Sequence, residues 1–241
     1  MHKVLKLQSV DSTHKYAVRL VENGKAEECI IIAEKQTDGV GRCGRIWESP
    51  SGNLYTSIIK KLPPDTELGK LSLTVAAAVH KVLSHYVPDN NLHLHWPNDV
   101  YYRRSKVAGI LIAVLDHWMI ISIGVNVNSA PDIVNAISIR DISGVEVISV
   151  EEVWRSILIE LDIWLEAFCV SNFLFIKNYW LRYVNEINCK VIIKNGLDSI
   201  TGIFKGIGDD GRLILGKQDK DLFISSGDMF LNVEGITVNY E

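Results

Sequence analysis

The sequence predicts a chain of two textures, interleaved helices and strands over residues 1–185 followed by a small all-β unit over 186–241. Three observations predict it. Apolar stripes at helical spacing alternate with short β-branched runs along the first part of the chain. Two long apolar runs, 107–115 and 118–127, are separated only by Asp116-His117, the pattern of a hairpin although its turn lacks glycine. Beyond residue 186, β-type runs at 189–193, 200–207, 212–216 and 222–225 are punctuated by Gly196, Gly202, Gly206, Gly208, Gly211 and Gly227, which suits a small barrel or sheet.

Taken in order, residues 3–8 alternate weakly and form an opening strand. Asp11-Ser12-Thr13 supplies capping oxygens before Tyr16, Ala17, Leu20 and Val21 at helical spacing, with Gly24 as the stop. Residues 29–33 read as a buried strand. Residues 35–52 are polar and glycine-rich, too long for a tight turn and of the length at which loops become functional. Residues 53–60 form the next strand. Leu68, Leu71, Val75, Val79, Val82 and Leu83 make a helical stripe with Thr66 near its start, and 92–96 alternates as a strand. Residues 128–148 show no regular pattern. Ser149 and Glu152 form a capping-box pair ahead of the helical face Val153, Trp154, Ile157, Leu158, Leu161, Trp164, Leu165 and Phe168.

Composition narrows the function classes. With 47% hydrophobic and 22% charged residues the chain is an ordinary globular protein. A net charge of −4 disfavours general nucleic-acid binding. No run of about 18 apolar residues predicts a membrane span, and the N-terminus lacks an export-signal core. Cys29, Cys43, Cys169 and Cys189 are scattered without a CxxC pair, so reduced thiols, a cytoplasmic location and no structural zinc are expected.

Gly39-Val40-Gly41-Arg42-Cys43-Gly44 has the spacing G-x-G-x-x-G. A dinucleotide site requires those glycines to join a strand to a helix, whereas 46–52 contains turn residues and no helical period. The loop still suits phosphate: glycines admit close backbone approach, Arg42 and Arg45 are forked cationic donors, and Trp47 offers a flat face to an adenine. A solvated surface loop fits the same residues. Further on, Trp96-Pro97-Asn98-Asp99 makes a sharp turn in which Asp99 either shapes the chain or helps hold Mg²⁺. Lys106 either sits in an exposed basic turn or, entering the apolar run with Gly109, places a compact charge at a pocket lip. Gly124 permits close approach of a ligand, and Asn126 either bonds an adenine edge or ends the strand. His93 and His95 share a strand face, where packing or exposure competes with metal binding.

Together, Asp11-Ser12-Thr13, Gln36 with the loop 39–47, Ser49 to Tyr55, Trp96 to Asp99, Lys106 to Leu111 and Gly124-Val125-Asn126 resemble the biotin protein ligase family in order and spacing. The resemblance implies an α+β fold, a mixed sheet flanked by helices of the class II aminoacyl-tRNA-synthetase/biotin-ligase type, with a small C-terminal SH3-like β-barrel. It implies two steps. The biotin carboxylate attacks the α-phosphate of MgATP to give biotinyl-5′-AMP and pyrophosphate, and a lysine of a biotin carboxyl carrier protein or carboxylase carrier domain then takes the biotin and releases AMP. By position, Ser12, Thr13, Gln36, Gly39, Arg42, Lys106, Gly109 and Gly124 would bind biotin. Arg42, Arg45, Trp47, Asn98, Lys106 and Asn126 would bind ATP and the adenylate. Lys106, Arg42 and Asp99 would carry the catalysis, Asp99 with Mg²⁺ or the incoming lysine.

Two departures stand out. Val40 replaces an arginine usual in the family's glycine loop, and His14 replaces an asparagine. Relatives that act as DNA-binding repressors carry an N-terminal helix-turn-helix, for which Ser12-Thr13 lies too near Met1. A lipoate or octanoate ligase is the sister reading, disfavoured by the lack of a glycine triplet after paired arginines. A catalytically weak biotin-binding homologue is the third. A homodimer is compatible with the family.

Overall fold

A computed structural model describes residues 3–132, 135–170, 173–218, 220–233 and 236–238. Seven strands form the main sheet: β1 (Lys3–Val10), β2 (Cys29–Gln36), β3 (Leu54–Lys61), β4 (Leu92–His95), β5 (Asp99–Tyr102), β6 (Ser105–Leu115) and β7 (Trp118–Val125). Their order is β1-β2-β3-β7-β6-β5-β4. Only β1 and β2 run parallel; every other neighbouring pair is antiparallel. The antiparallel β2–β3 pairing removes the dinucleotide-fold reading of the glycine loop between them, since that fold needs a parallel crossover.

Strand alternation decides which helix covers which face. Ile31, Ile59 and Ile120 pack with Ala17 and Val21 of α1 (Thr13–Glu22). Their neighbours Ile30, Ile58 and Ile121 point the other way, into the large core under α2 (Leu68–Leu83), α4 (Val150–Cys169) and α5 (Phe173–Tyr183). Ser12 caps α1 by accepting from the Lys15 N–H, and Ser149 caps α4 through the Glu152 N–H, as the capping patterns require. A short α3 (Ile139–Ser143) interrupts the stretch without periodicity. Trp180, fully buried, donates its indole N–H to the Leu73 carbonyl at 2.7 Å and so pins α5 to α2. The α2 stripe is as expected from Leu71 onward, but Leu68 is exposed, and Thr66 bonds Pro63 and does not cap the helix.

The second sheet contains β8 (Lys190–Asn195), β9 (Asp198–Ile207), β10 (Leu213–Gly216), β11 (Asp221–Ile224), β12 (Asp228–Val233) and β13 (Ile236–Val238). All its pairs are antiparallel, in the order β11-β10-β9-β8-β12-β13. The expected barrel is therefore corrected to an open sheet, because no ladder joins β11 to β13 among the described residues. Its edge strands are only four and three residues long, which limits the exposed pairing surface that closure would otherwise remove. The apolar core passes without a break from Ile176 and Trp180 into Val191, Phe204 and Leu213 of this sheet. No helix among the described residues is long and apolar enough to cross a membrane.

Candidate functional site

The glycine loop folds into a small hairpin of its own. The Trp47 N–H donates to the Gly39 carbonyl at 2.9 Å and the Gly41 N–H to the Arg45 carbonyl at 2.8 Å, with Val40 bridging Ile46. Between them Arg42–Gly44 makes a tight turn in which Cys43 and Gly44 take positive φ, 54° and 75°. Glycine tolerates that conformation freely. Thus Val40 contributes a strand-like contact to the loop rather than a charge.

This hairpin roofs a cavity of about 350 Å³, within the range of small-molecule sites. The polar end is lined by Ser12, Thr13, His14, Gln36, Thr56 and Ser122. There the Thr13 N–H donates to Gln36 Oε1 at 2.8 Å, Ser57 Oγ donates to Thr13 Oγ1 at 2.9 Å, and His14 Nδ1 lies 2.8 Å from Ser122 Oγ. The other end carries charge. Lys106 Nζ donates to Asp99 Oδ2 at 2.6 Å and sits 5.3 Å from the centre of the Trp47 ring.

Between the two ends lies the Trp47 indole, against two glycines paired across the β6–β7 hairpin, Gly109 and Gly124. A Cβ on Gly124 would come within 2.7 Å of Trp47 Cε2, so the ring rests where any side chain would displace it. The Trp47 indole N–H and Asp99 Oδ1 are buried without a hydrogen-bond partner among the described residues. Buried polar atoms of this kind call for a partner that a ligand can supply.

The two loop arginines are held from the second sheet. Arg42 donates to Asn98 Oδ1 at 3.1 Å and to the Gly227 carbonyl at 3.3 Å, and Arg45 donates to Asp228 Oδ1 at 2.9 Å. The same carboxylate oxygen lies 3.4 Å from Arg42. Asn98 is itself fixed by donating to the Ile110 carbonyl.

Of the residues singled out in the sequence, Ser12, Thr13, Gln36, Arg42, Arg45, Trp47, Asn98, Asp99, Lys106, Gly109 and Gly124 line this one cavity. Two do not. Gly39 is buried beneath the loop, where a Cβ would press on Ser49 Oγ at 2.7 Å and Gln36 Nε2 at 2.8 Å. Asn126 is drawn under Lys106: its backbone N–H donates to the Val107 carbonyl and its Nδ2 to the Lys106 carbonyl. Its Oδ1 is buried without a partner among the described residues. The histidines on β4 are packing residues. His95 joins Glu186 Oε1 at 3.0 Å and the Met229 carbonyl at 2.9 Å. Among the described residues no group of His, Cys, Asp and Glu is arranged to hold a metal by itself. Asp228 escaped the sequence reading, being 186 residues from Arg42, and so did the buried serines Ser57 and Ser122. The only local signal for the serines was a small polar residue inside each of two apolar strands.

Comparisons with known proteins agree with this geometry. Residues 6–128 match the model of the Biotin/lipoate A/B protein ligase family. The biotin--[acetyl-CoA-carboxylase] ligase of Paracoccus denitrificans is 30% identical over 223 residues, covering 87% of this chain and 92% of that protein. The bifunctional ligase/repressor BirA of Bacillus subtilis (strain 168) is 32% identical over 238 residues, covering 92% of this chain and 72% of that protein. The solved biotin protein ligase from Aquifex aeolicus, in complex with biotin and ATP, is similar with a TM-score of 0.84 at 28% identity, over 96% of this chain and 99% of that one. By cavity, by fold and by sequence, the chain belongs to the biotin/lipoate A/B protein ligase family.

Proposed function

We propose that the chain is an ATP-dependent biotin protein ligase, forming biotinyl-5′-AMP and transferring biotin to a lysine of a biotin carboxyl carrier protein or domain. The observation that carries this reading is the polarity of the cavity. Hydroxyl, amide and imidazole groups line one end, and Lys106, Arg42 and Arg45 line the other. A cyclic urea, with N–H donors and a carbonyl acceptor, uses the first end; the dithiolane of lipoate or the chain of octanoate has nothing to offer it.

In this scheme Ser12, Thr13 and Gln36 hold the ureido ring, and Gly109 and Gly124 serve the bound biotin through the Trp47 indole that they seat beside it. Lys106 neutralises the charge that accumulates as the carboxylate oxygen bonds to the α-phosphorus, and Arg42 and Arg45 close the loop over the phosphate. Trp47 packs against adenine, and Asn98 orients Arg42. Asn126 braces the Lys106 carbonyl through Nδ2, and its Oδ1, buried without a partner among the described residues, is the atom that would accept from the adenine edge. Asp99 Oδ1, free of protein partners among the described residues, suits the one carboxylate that a Mg²⁺ ion shared with phosphates needs, and that ion would screen the leaving pyrophosphate. No enzyme nucleophile is required: position and charge supply the catalysis. The reaction belongs in the cytoplasm with its carrier, and neither DNA nor a membrane enters it. The division of the chain at 185/186 into a catalytic and a small β unit is part of the same proposal.

The test is incubation with MgATP and biotin, lipoate or octanoate, followed by apo carrier domain. Biotinyl-AMP from biotin alone, then biotinylated carrier, is the expected result. Lipoyl-AMP as sole product would move the chain to the sister ligases, and biotin binding without adenylate would make it a silent binder.

A further inference from the structure

The hydrogen bonds at the polar end of the cavity run in one direction, and that direction can be derived. The Trp47 carbonyl oxygen only accepts, so Ser49 Oγ gives it its proton, at 2.8 Å. Ser49 therefore accepts from Gln36 Nε2, also at 2.8 Å. The Gln36 amide cannot be turned over, because the Thr13 backbone N–H points at its Oε1. That oxygen also takes the Thr13 hydroxyl proton, at 3.2 Å. With its one proton committed, Thr13 accepts from Ser57, and Ser57 in turn accepts from Ser122, each at 2.9 Å. Ser122 then has no proton left for His14. The 2.8 Å contact between them forms only if His14 Nδ1 carries the hydrogen.

The chain of donors thus starts at His14 and ends on the glycine loop. Burial lowers the pKa of His14 below its ordinary value, which favours the neutral ring. A neutral ring protonated on Nδ1 carries a lone pair on Nε2. Nε2 has no protein partner among the described residues, and His14 lines the cavity. Ser57, by contrast, is fully buried and does not line it.

We propose that Ser57 and Ser122 are positioning residues that lock His14 as the Nδ1–H tautomer, so that His14 Nε2 accepts an N–H of the bound substrate. The substrate half rests on the biotin reading, since a cyclic urea supplies that N–H. The device follows from His14 itself: an asparagine could meet the same need by turning its amide, whereas an imidazole needs its tautomer set from outside.

The test uses the full chain labelled with ¹⁵N-histidine, with His14→Gln to assign the signal. Long-range ¹H–¹⁵N correlation spectra read the tautomer, and calorimetry reads biotin affinity. Wild-type protein is expected to show the Nδ1–H form, with the Nε2 resonance moving on addition of biotin. Ser57→Ala frees the Ser122 proton to turn toward His14. The ring should then shift toward Nε2–H and the biotin Kd should rise about tenfold, the scale of one neutral hydrogen bond. A wild-type ring in the Nε2–H form overturns the proposal, even if Ser57→Ala fails to fold. So does a folded Ser57→Ala protein with unchanged tautomer and Kd, or biotin binding that leaves Nε2 unmoved. A wild-type protein that binds no biotin overturns the biotin reading and the substrate half with it, while the tautomer measurement still judges the lock.

Discussion

Gly124→Ala tests how closely the adenylate end of the cavity is built around Trp47. The new Cβ would stand 2.7, 2.8 and 2.9 Å from three atoms of the indole. To reach even the short end of ordinary contact the ring must retreat by about 0.7 Å. The backbone cannot absorb that shift, because Gly124 is paired with Tyr55 on one side and Gly109 on the other, in the middle of the sheet. The ring moves instead, and it draws with it the Trp47 peptide, which is bonded to Gly39 and Ser49 in the loop that carries Arg42 and Arg45. Misplacement approaching 1 Å costs on the order of 100-fold in a reaction that depends on positioning. Adenylate formation, read as pyrophosphate release at saturating biotin and ATP, should fall by that factor while the thermal melt stays cooperative. Gly109→Ala is the internal control. Its Cβ would meet Trp47 at 3.1 Å and the flexible end of Lys106 at 3.1 and 3.2 Å, contacts that a small adjustment relieves, so a loss of about tenfold is expected. Gly124→Ala activity within twofold of wild type, or a Gly109→Ala variant more impaired than it, would refute the packing argument.

Other expectations follow from the same geometry. Asp228→Asn keeps the size of the side chain but removes the charge that holds Arg45 at 2.9 Å and Arg42 at 3.4 Å; steady-state kinetics should show KM for ATP raised about tenfold with KM for biotin unchanged. Lys106→Met removes the cation facing the reacting centre, and single-turnover adenylate formation should drop by about 100-fold or more, with biotin still retained. Burial pushes His80 down to about 4, the Leu92 carbonyl opposing that shift. Between pH 6.5 and 4 the unfolded chain therefore binds a proton that the folded chain refuses, so stability rises with pH across that window and is lost as pH falls through it. Urea unfolding at both ends of the window should differ by roughly 3 kcal/mol more in wild type than in His80→Gln, and equal slopes would rule the residue out as the cause.

The parts of the fold that were legible in the sequence are those with a clean period or a cap. Ser12 and Ser149 marked their helices, the β6–β7 hairpin announced itself through two apolar runs, and α2 through its stripe. Helix α5 was not legible, because Phe173-Leu174-Phe175-Ile176 is apolar on every side and shows no face. Strand β5 is four residues hidden behind the turn at Trp96–Asp99. Most of the cavity was legible as motifs, since its residues lie in short segments with unusual glycines, arginines and a lysine. What the motifs could not convey is what holds them. Asp228 lies far along the chain, and the serines beneath the polar end matter only through the order in which they pass a hydrogen. Asn126 and Gly39 show the converse: a motif position fixes a backbone location, while local hydrogen bonds decide where the side chain, or the missing one, faces.

The grip of Gly227 and Asp228 on the glycine loop bears on how such proteins can be recombined. By sequence texture the stretch near residue 186 is an inviting seam for chimeras, with a mixed α and β part before it and a β part after. The structure makes it a poor place to cut. The apolar core runs through the seam, and the arginines that close over the cavity are anchored on its far side. A donor sheet exchanged there would have to bring both a matching apolar floor for α5 and an acid at the start of β12. The natural unit of exchange is therefore not a contiguous segment but the pair formed by residues 39–47 and 227–228, which would have to travel together.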